Sequence, residues 1–256
     1  MKKLIGNIWY YALSVAYAKR SGASIDLYTD TLGSKLLSDI PYDNIYVTFD
    51  DLPSDLNPRF WAAGKMYALG EAGVGAIHID GDVFLKSSEL IEDIENSDWD
   101  FIAQSYEAGD WYKIEHPLFK RDLSYCKSHG LDIYSYGAYN TGVIGFRNQD
   151  LFNKFITGYK EMSLRFSKIG KDLLDNSPRL TPDLILEQQY VYQIAKNSKV
   201  KLILPNGYTD APEKKYQHCL TSTKFNVLNK CQDTLRKVSP NIYDKISKLC
   251  QNTLIK

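Results

Sequence analysis

Residues 77–85 read Ile77-His78-Ile79-Asp80-Gly81-Asp82-Val83-Phe84-Leu85. An apolar stretch delivers a carboxylate, a glycine and a second carboxylate, and then apolar residues resume. Two carboxylates this close repel each other and resist burial unless something positive sits between them. Gly81 permits a tight turn, or a backbone approach that a side chain would obstruct. Such oxygen ligands suit a hard divalent cation with open positions for phosphate oxygens. Asp-Gly-Asp is equally an acidic turn, so context must decide. The chain holds its own control at Asp98-Trp99-Asp100, a pair that precedes an extended stretch and reads as helix exit and strand start. His78 alternates with Ile77 and Ile79, so it shares a face with Asp80, either beside the site or packed against a helix.

The elements that must position these groups alternate along the chain. Extended stretches are expected at 24–29, 44–49, 76–80, 99–103, 142–146 and 200–204. Helices are expected up to Gly22, over 34–37 with Asp30 as cap, over 60–72 with Gly73 as stop, and over 87–95, 150–166 and 183–195. In the first helix Trp9, Leu13 and Ala16 can share a face, while Lys19 and Arg20 complement its C-terminal end. Strands alternating with longer helices imply an α/β domain with a mainly parallel central sheet flanked by helices. Ligands in such sheets sit beyond the carboxyl ends of the strands. From residue 222 onward the chain reads as helical or irregular. No GxGxxG or GxxxxGK[ST] string occurs, which argues against a Rossmann oxidoreductase or a P-loop enzyme.

Composition bounds the partners. The 31 basic and 31 acidic residues cancel, so nothing supports a broad nucleic-acid surface. Cys126, Cys219, Cys231 and Cys250 form no CxxC pair and read as reduced or buried thiols of a cytoplasmic protein. Residues 2–18 approach a signal-peptide outline, but Asn7, Ser14 and three tyrosines interrupt the stretch, which runs on into Lys19-Arg20-Ser21-Gly22. No run is apolar enough for a transmembrane span, which leaves peripheral membrane association open. No linker breaks the 256 residues. A single domain is expected, with a donor and metal part over about 1–104, an acceptor part over about 105–225 and a helical tail over 226–256.

At Asp80-Gly81-Asp82 the chain resembles the DxD motif of GT-A-fold glycosyltransferases, which use nucleotide-diphosphate sugars. Three further stretches resemble glycosyltransferase family 8, the glycogenin-like and bacterial galactosyltransferase-like group. Tyr139-Asn140-Thr141-Gly142-Val143 is similar to that family's Asn-Ala/Ser-Gly-Val segment, whose Asn and small residue line the sugar site. Leu186-Glu187-Gln188-Gln189-Tyr190 is similar to an Asp-Gln-Asp helix segment under the donor sugar, with Glu187 for the first acid and Gln189 for the second. His218-Cys219-Leu220-Thr221-Ser222-Thr223-Lys224 keeps the His and Lys of an HxxGxxK motif, with Thr221 in place of Gly.

The resemblance implies a metal-dependent transfer of sugar from a nucleotide-diphosphate donor, UDP-sugar favoured, to a glycan acceptor with retention, as in bacterial polysaccharide synthesis. It implies Asp80, Asp82 and His218 as ligands of Mn²⁺ or Mg²⁺. Glu187, Gln188 and Asn140 would stand at the reacting sugar. Asp30, Lys65, Asp80, Gly81, Thr141, Gly142 and Lys224 would hold the donor. Aromatic residues Tyr106, Trp111, Tyr112, His116, Tyr134 and Tyr136 fall in stretches 105–119 and 132–139, expected as acceptor-side loops. A GT-A domain opens with a strand holding the nucleobase, and residues 2–5 could make only a very short one. An inactive GT-A-like binding domain is therefore one rival reading. A metal-dependent phosphohydrolase or nucleotidyltransferase, with Asp183 and Asp210 as further acids, is the other.

Overall fold

The computed structural model describes residues 2–110, 112, 116–177, 181–205, 215–219 and 221–254, with the backbone alone at 2–6, 116, 221–227 and 252–254. In chain order the elements are α1 (Lys2–Arg20), β1 (Asp26–Thr29), α2 (Thr31–Leu36), β2 (Asn44–Val47), α3 (Ala63–Ala72), β3 (Ile77–Ile79), β4 (Val83–Leu85) and α4 (Ser88–Asn96). They continue with β5 (Phe101–Ala108), α5 (His116–Phe119), α6 (Leu123–Ser128), β6 (Gly137–Phe146), α7 (Gln149–Ile169) and α8 (Lys171–Asn176). A π-helical turn (Leu184–Gln189), α9 (Tyr190–Ile194), β7 (Val200–Leu202), β8 (Tyr216–His218), α10 (Thr221–Val238) and α11 (Pro240–Leu254) complete the chain. Among the described residues no helix is long and apolar enough to cross a membrane.

The chain divides into two compact units that do not follow its linear order. The first takes residues 1–50, 79–97 and 211–256, and the second takes 51–78 and 98–210. The stretch 226–256, expected as a tail, therefore belongs to the first unit.

In the first unit α1 is the core element, packed by β4, α10 and α11. Trp9, Leu13 and Ala16 are buried as their spacing predicts, but so are Ile8, Tyr10, Ala12 and Val15. A helix buried nearly all round is apolar nearly all round, which is why its sequence approaches a signal-peptide outline. Gly22, at φ 90°, ends it in the left-handed region that glycine tolerates best. Residues 2–5, the short-strand candidate, are helical. Strands β1 and β2 pair in parallel, and Asp30 caps α2 as expected, its Oδ1 accepting from Gly33 N at 2.5 Å. Strands β4 and β8 pair antiparallel, with Val83 opposite His218.

The second unit is built on a four-stranded sheet of order β3-β6-β5-β7. The expectation of a mainly parallel sheet is corrected here. The central pair β5 and β6 is antiparallel, β5 and β7 are parallel, and the sheet is mixed. The α/β class stands. The segment from 109 to 136 contains helices, as a parallel crossover would, but it returns the chain in the opposite direction. Alternation of strand and helix does not encode that direction. The same pairing corrects the loop expectation for 105–119 and 132–139, because Ser105 to Ala108 extend β5 and Gly137 to Tyr139 open β6.

Helix α7 packs on α3 and on the sheet through Phe152, Phe155, Tyr159 and Phe166. Gly158 on α7 gives room to the Tyr190 hydroxyl, which donates to Lys154 O at 3.1 Å, and a Cβ there would collide with that hydroxyl. Gly158→Ala should lower unfolding stability by about 1–3 kcal/mol despite the better helix propensity of Ala, as read by urea denaturation.

Candidate functional site

Chemistry-bearing residues gather in each unit, and the two groups are described separately. In the first unit the chain leaves β3 at Asp80, and Val83 N donates to Asp80 O at 2.9 Å to close the turn. Asp82 precedes β4. Antiparallel pairing with β8 sets His218 opposite Val83, and Cys219 N donates to Asp82 O at 3.0 Å. Sheet register thus brings together a carboxylate and an imidazole far apart in sequence. His218 Nε2 lies 3.5 Å from Asp82 Oδ1. One ligand atom each from Asp80, Asp82 and His218 falls within 4.8 Å of the others, the one such cluster among the described residues.

Asp82 is buried, while Asp80 and His218 are half-buried. Two carboxylates and an imidazole that converge in this way are a donor set that fits a divalent first-row cation. The imidazole favours Mn²⁺ over Mg²⁺. The alternative of His218 as an ordinary loop residue gives way to a strand position. Tyr11 on α1 is held above its ordinary range by burial and then by the charges of Asp82 and Asp80. Burial also lifts Tyr10, with smaller contributions from Cys231, Cys219 and Asp82. Lys224 lies on α10, but its side chain is outside the described residues.

In the second unit the expected sugar-site residues share a buried polar cluster. The π-helical turn, a distortion frequent at functional sites, carries Glu187, Gln188 and Gln189. Glu187 is fully buried and its Oε1 accepts from Lys65 Nζ at 2.6 Å and from Thr141 Oγ1 at 2.5 Å. Lys65 Nζ also donates to Thr141 O at 3.0 Å. It therefore neither snorkels to solvent nor stands idle; its ammonium serves a buried ion pair.

Between Ala103 and Ser105 the β5–β6 register shifts, opposing Ser105 to Asn140. Such irregularities re-aim side chains. Asn140 Oδ1 accepts from Gly142 N at 2.9 Å, and its Nδ2 donates to Glu107 Oε1 at 2.8 Å. Tyr112 Oη lies 3.2 Å from both Glu107 Oε2 and Gln188 Oε1. Glu107 is the member the sequence reading missed, and its place one strand from Asn140 was the only signal for it. Glu187 Oε2 and both polar atoms of Gln189 are buried without a hydrogen-bond partner among the described residues. Groups in that state are expected to meet water or a ligand.

Asp183 lies in the same unit and is a structural acid. Its Oδ2 accepts from Ala62 N at the start of α3, and its Oδ1 accepts from the Tyr159 hydroxyl at 2.6 Å. Burial and then the Glu187 charge raise its pKa to about 7. A group raised this way binds more protons folded than unfolded between about pH 4 and 7. Its stabilising contribution is complete below that window and is lost as pH rises through it. Asp183→Asn should flatten the fall in urea midpoint between pH 4.5 and 7.5; an unchanged slope would refute the assignment. Asp210, the other acid weighed with it, lies outside the described residues.

The control pair behaves as read. Asp98 and Asp100 accept from Lys199 Nζ at 2.6 Å and from Lys199 N at 2.9 Å, pinning the start of β5. Tyr106, Tyr134 and Tyr136 are exposed, and Tyr106 packs on Tyr139 and Tyr192. Tyr112 is buried instead. Trp111 and the His116 side chain are outside the described residues. His78 is half-buried on β3. All four cysteines are buried and free of disulfides.

The chain belongs to a family of unknown function, DUF6734, whose family model matches residues 7–249. No curated protein and no solved structure matches the chain significantly.

Proposed function

Membership in that family carries no activity with it, and we propose from the site itself that this chain is a metal-dependent glycosyltransferase. It would move a sugar from a nucleotide-diphosphate donor to a glycan acceptor. The observation that carries the reading is the convergence of Asp80, Asp82 and His218 ligand atoms within 4.8 Å. These residues would hold Mn²⁺ or Mg²⁺, which when bound supplies charge stabilisation to a departing nucleoside diphosphate. The chain's own part is to fix that charge. Asp82 is anchored by Cys219 N on its carbonyl and by the pairing of the next residue, Val83, with His218, and the Asp80 turn is closed by its own backbone. In the second unit Asn140, Gln188 and Glu187 offer amide and carboxylate groups of the kind that address sugar hydroxyls. Asn140 and Glu187 are held in place by Glu107, Lys65 and Thr141. Retention of configuration follows the resemblance to glycosyltransferase family 8.

One observation favours a second reading, a GT-A-like domain that binds a glycan or partner without turnover. Lys65, one of two cations expected at the diphosphate, is paired with Glu187. Calorimetric titration of UDP, GDP and CMP into the full chain, with and without Mn²⁺, separates the two. Micromolar binding of one nucleotide that requires Mn²⁺ supports the transferase. Absence of nucleotide binding with Mn²⁺ bound supports the non-catalytic domain.

A further inference from the structure

The turn carrying Asp80 and Asp82 is braced by α1. A Cβ on Gly81 would fall 1.9 Å from both Cδ1 and Cε1 of Tyr11, so the edge of that ring abuts the glycine between the two carboxylates. Three residues on, at the spacing that shares a helix face, Ser14 Oγ donates to Val83 O at 2.7 Å. Further along, Ser21 Oγ donates to Leu85 O at 3.1 Å. Strand β4 is thus fixed by β8 through its ladder, by Ser14 of α1 and by Ser21 just past the end of α1, while Tyr11 abuts the turn before it.

We propose that Tyr11 is a positioning residue for the divalent-cation centre: its ring, seated on Gly81, holds the turn so that Asp80 and Asp82 aim their oxygens at the point the His218 imidazole faces. This inference rests on the metal reading of that triad. Glycine has wide backbone freedom, and two carboxylates that repel each other pull such a turn open. A ring edge set against the glycine restricts that freedom before the cation arrives, which is what a preorganised site requires. It also explains glycine at 81, where the ring leaves no room for a side chain.

The test is Mn²⁺ titration of the full chain, followed by the electron paramagnetic resonance signal of free and bound ion, with circular dichroism as the check on folding. Tyr11→Phe keeps the ring and should bind within about threefold of the unsubstituted chain. Tyr11→Leu should bind about 10–100-fold more weakly, the range for loss of a group supporting a metal ligand. Gly81→Ala should also weaken binding, and Gly81→Ala combined with Tyr11→Leu should lose less than the two single effects together, because the collision is relieved. Wild-type affinity in folded Tyr11→Leu overturns the positioning role alone. Should that variant not fold, wild-type affinity and line shape in Gly81→Ala overturn it. No Mn²⁺ binding by the unsubstituted chain overturns the metal reading itself, and the positioning role with it.

Discussion

Asp82→Ala lowers Mn²⁺ affinity by more than about 100-fold, beyond what loss of an outer-shell partner costs. Asp82 is a buried carboxylate beside His218 and Asp80, and its backbone is pinned by β8. Removing it leaves one carboxylate and one imidazole, too few charges to offset the dehydration of a divalent ion. The fold survives, because the bonds from Val83 N to Asp80 O and from Cys219 N to Asp82 O are backbone bonds that the substitution keeps. His218→Ala behaves alike, with a weaker loss of Mg²⁺ than of Mn²⁺ since imidazole is the softer ligand. Asp98→Ala is the control. That acid is 82 % exposed on its side chain and pairs with Lys199, so Mn²⁺ affinity stays unchanged. Calorimetric Mn²⁺ titration reads all three, and chelator should lower the melting temperature of the native chain only, since ligand binding stabilises by mass action. Equal affinity in Asp82→Ala and Asp98→Ala would remove the metal centre.

Lys65→Ala destabilises the chain by about 3–5 kcal/mol, the cost of leaving one partner of a buried ion pair uncompensated. The side chains of Lys65 and Glu187 are 6 % and 0 % exposed, and the ammonium also satisfies Thr141 O. Glu187 Oε1 takes Lys65 as its counter-charge, and loss of that ammonium leaves a buried carboxyl group without it. Lys65→Met combined with Glu187→Gln removes both charges at similar volume and should recover most of the loss. A double variant no more stable than Lys65→Ala would mean that the pair contributes through its shape rather than its charge. Urea denaturation at pH 7 reads the series, and a Lys65→Ala effect below about 1 kcal/mol, the range of exposed pairs, would refute it.

Much of the local structure was legible from residue types alone. Asp30 as a cap and Gly22 and Gly73 as helix stops depend on contacts within a few residues, and short-range sterics and hydrogen bonding suffice to specify them. Asp80-Gly81-Asp82 was legible as a candidate because two like charges beside apolar residues are costly without a partner. The sequence showed neither β4, which follows β3 after only three residues, nor β8, Tyr216-Gln217-His218, which carries no apolar run; each is made a strand by pairing with the other.

What the sequence by itself determined is the α/β class, most helix ends and the chemical character of Asp80, Asp82, Asn140, Glu187 and His218. Only the tertiary structure decided that β5 and β6 run antiparallel, that Lys65 faces Glu187, that Glu107 joins Asn140, and that Tyr11 covers Gly81. Each of these joins residues 29 or more positions apart. Strand direction, register and helix packing are set by the burial of whole faces at once, and no local pattern of residues carries that information.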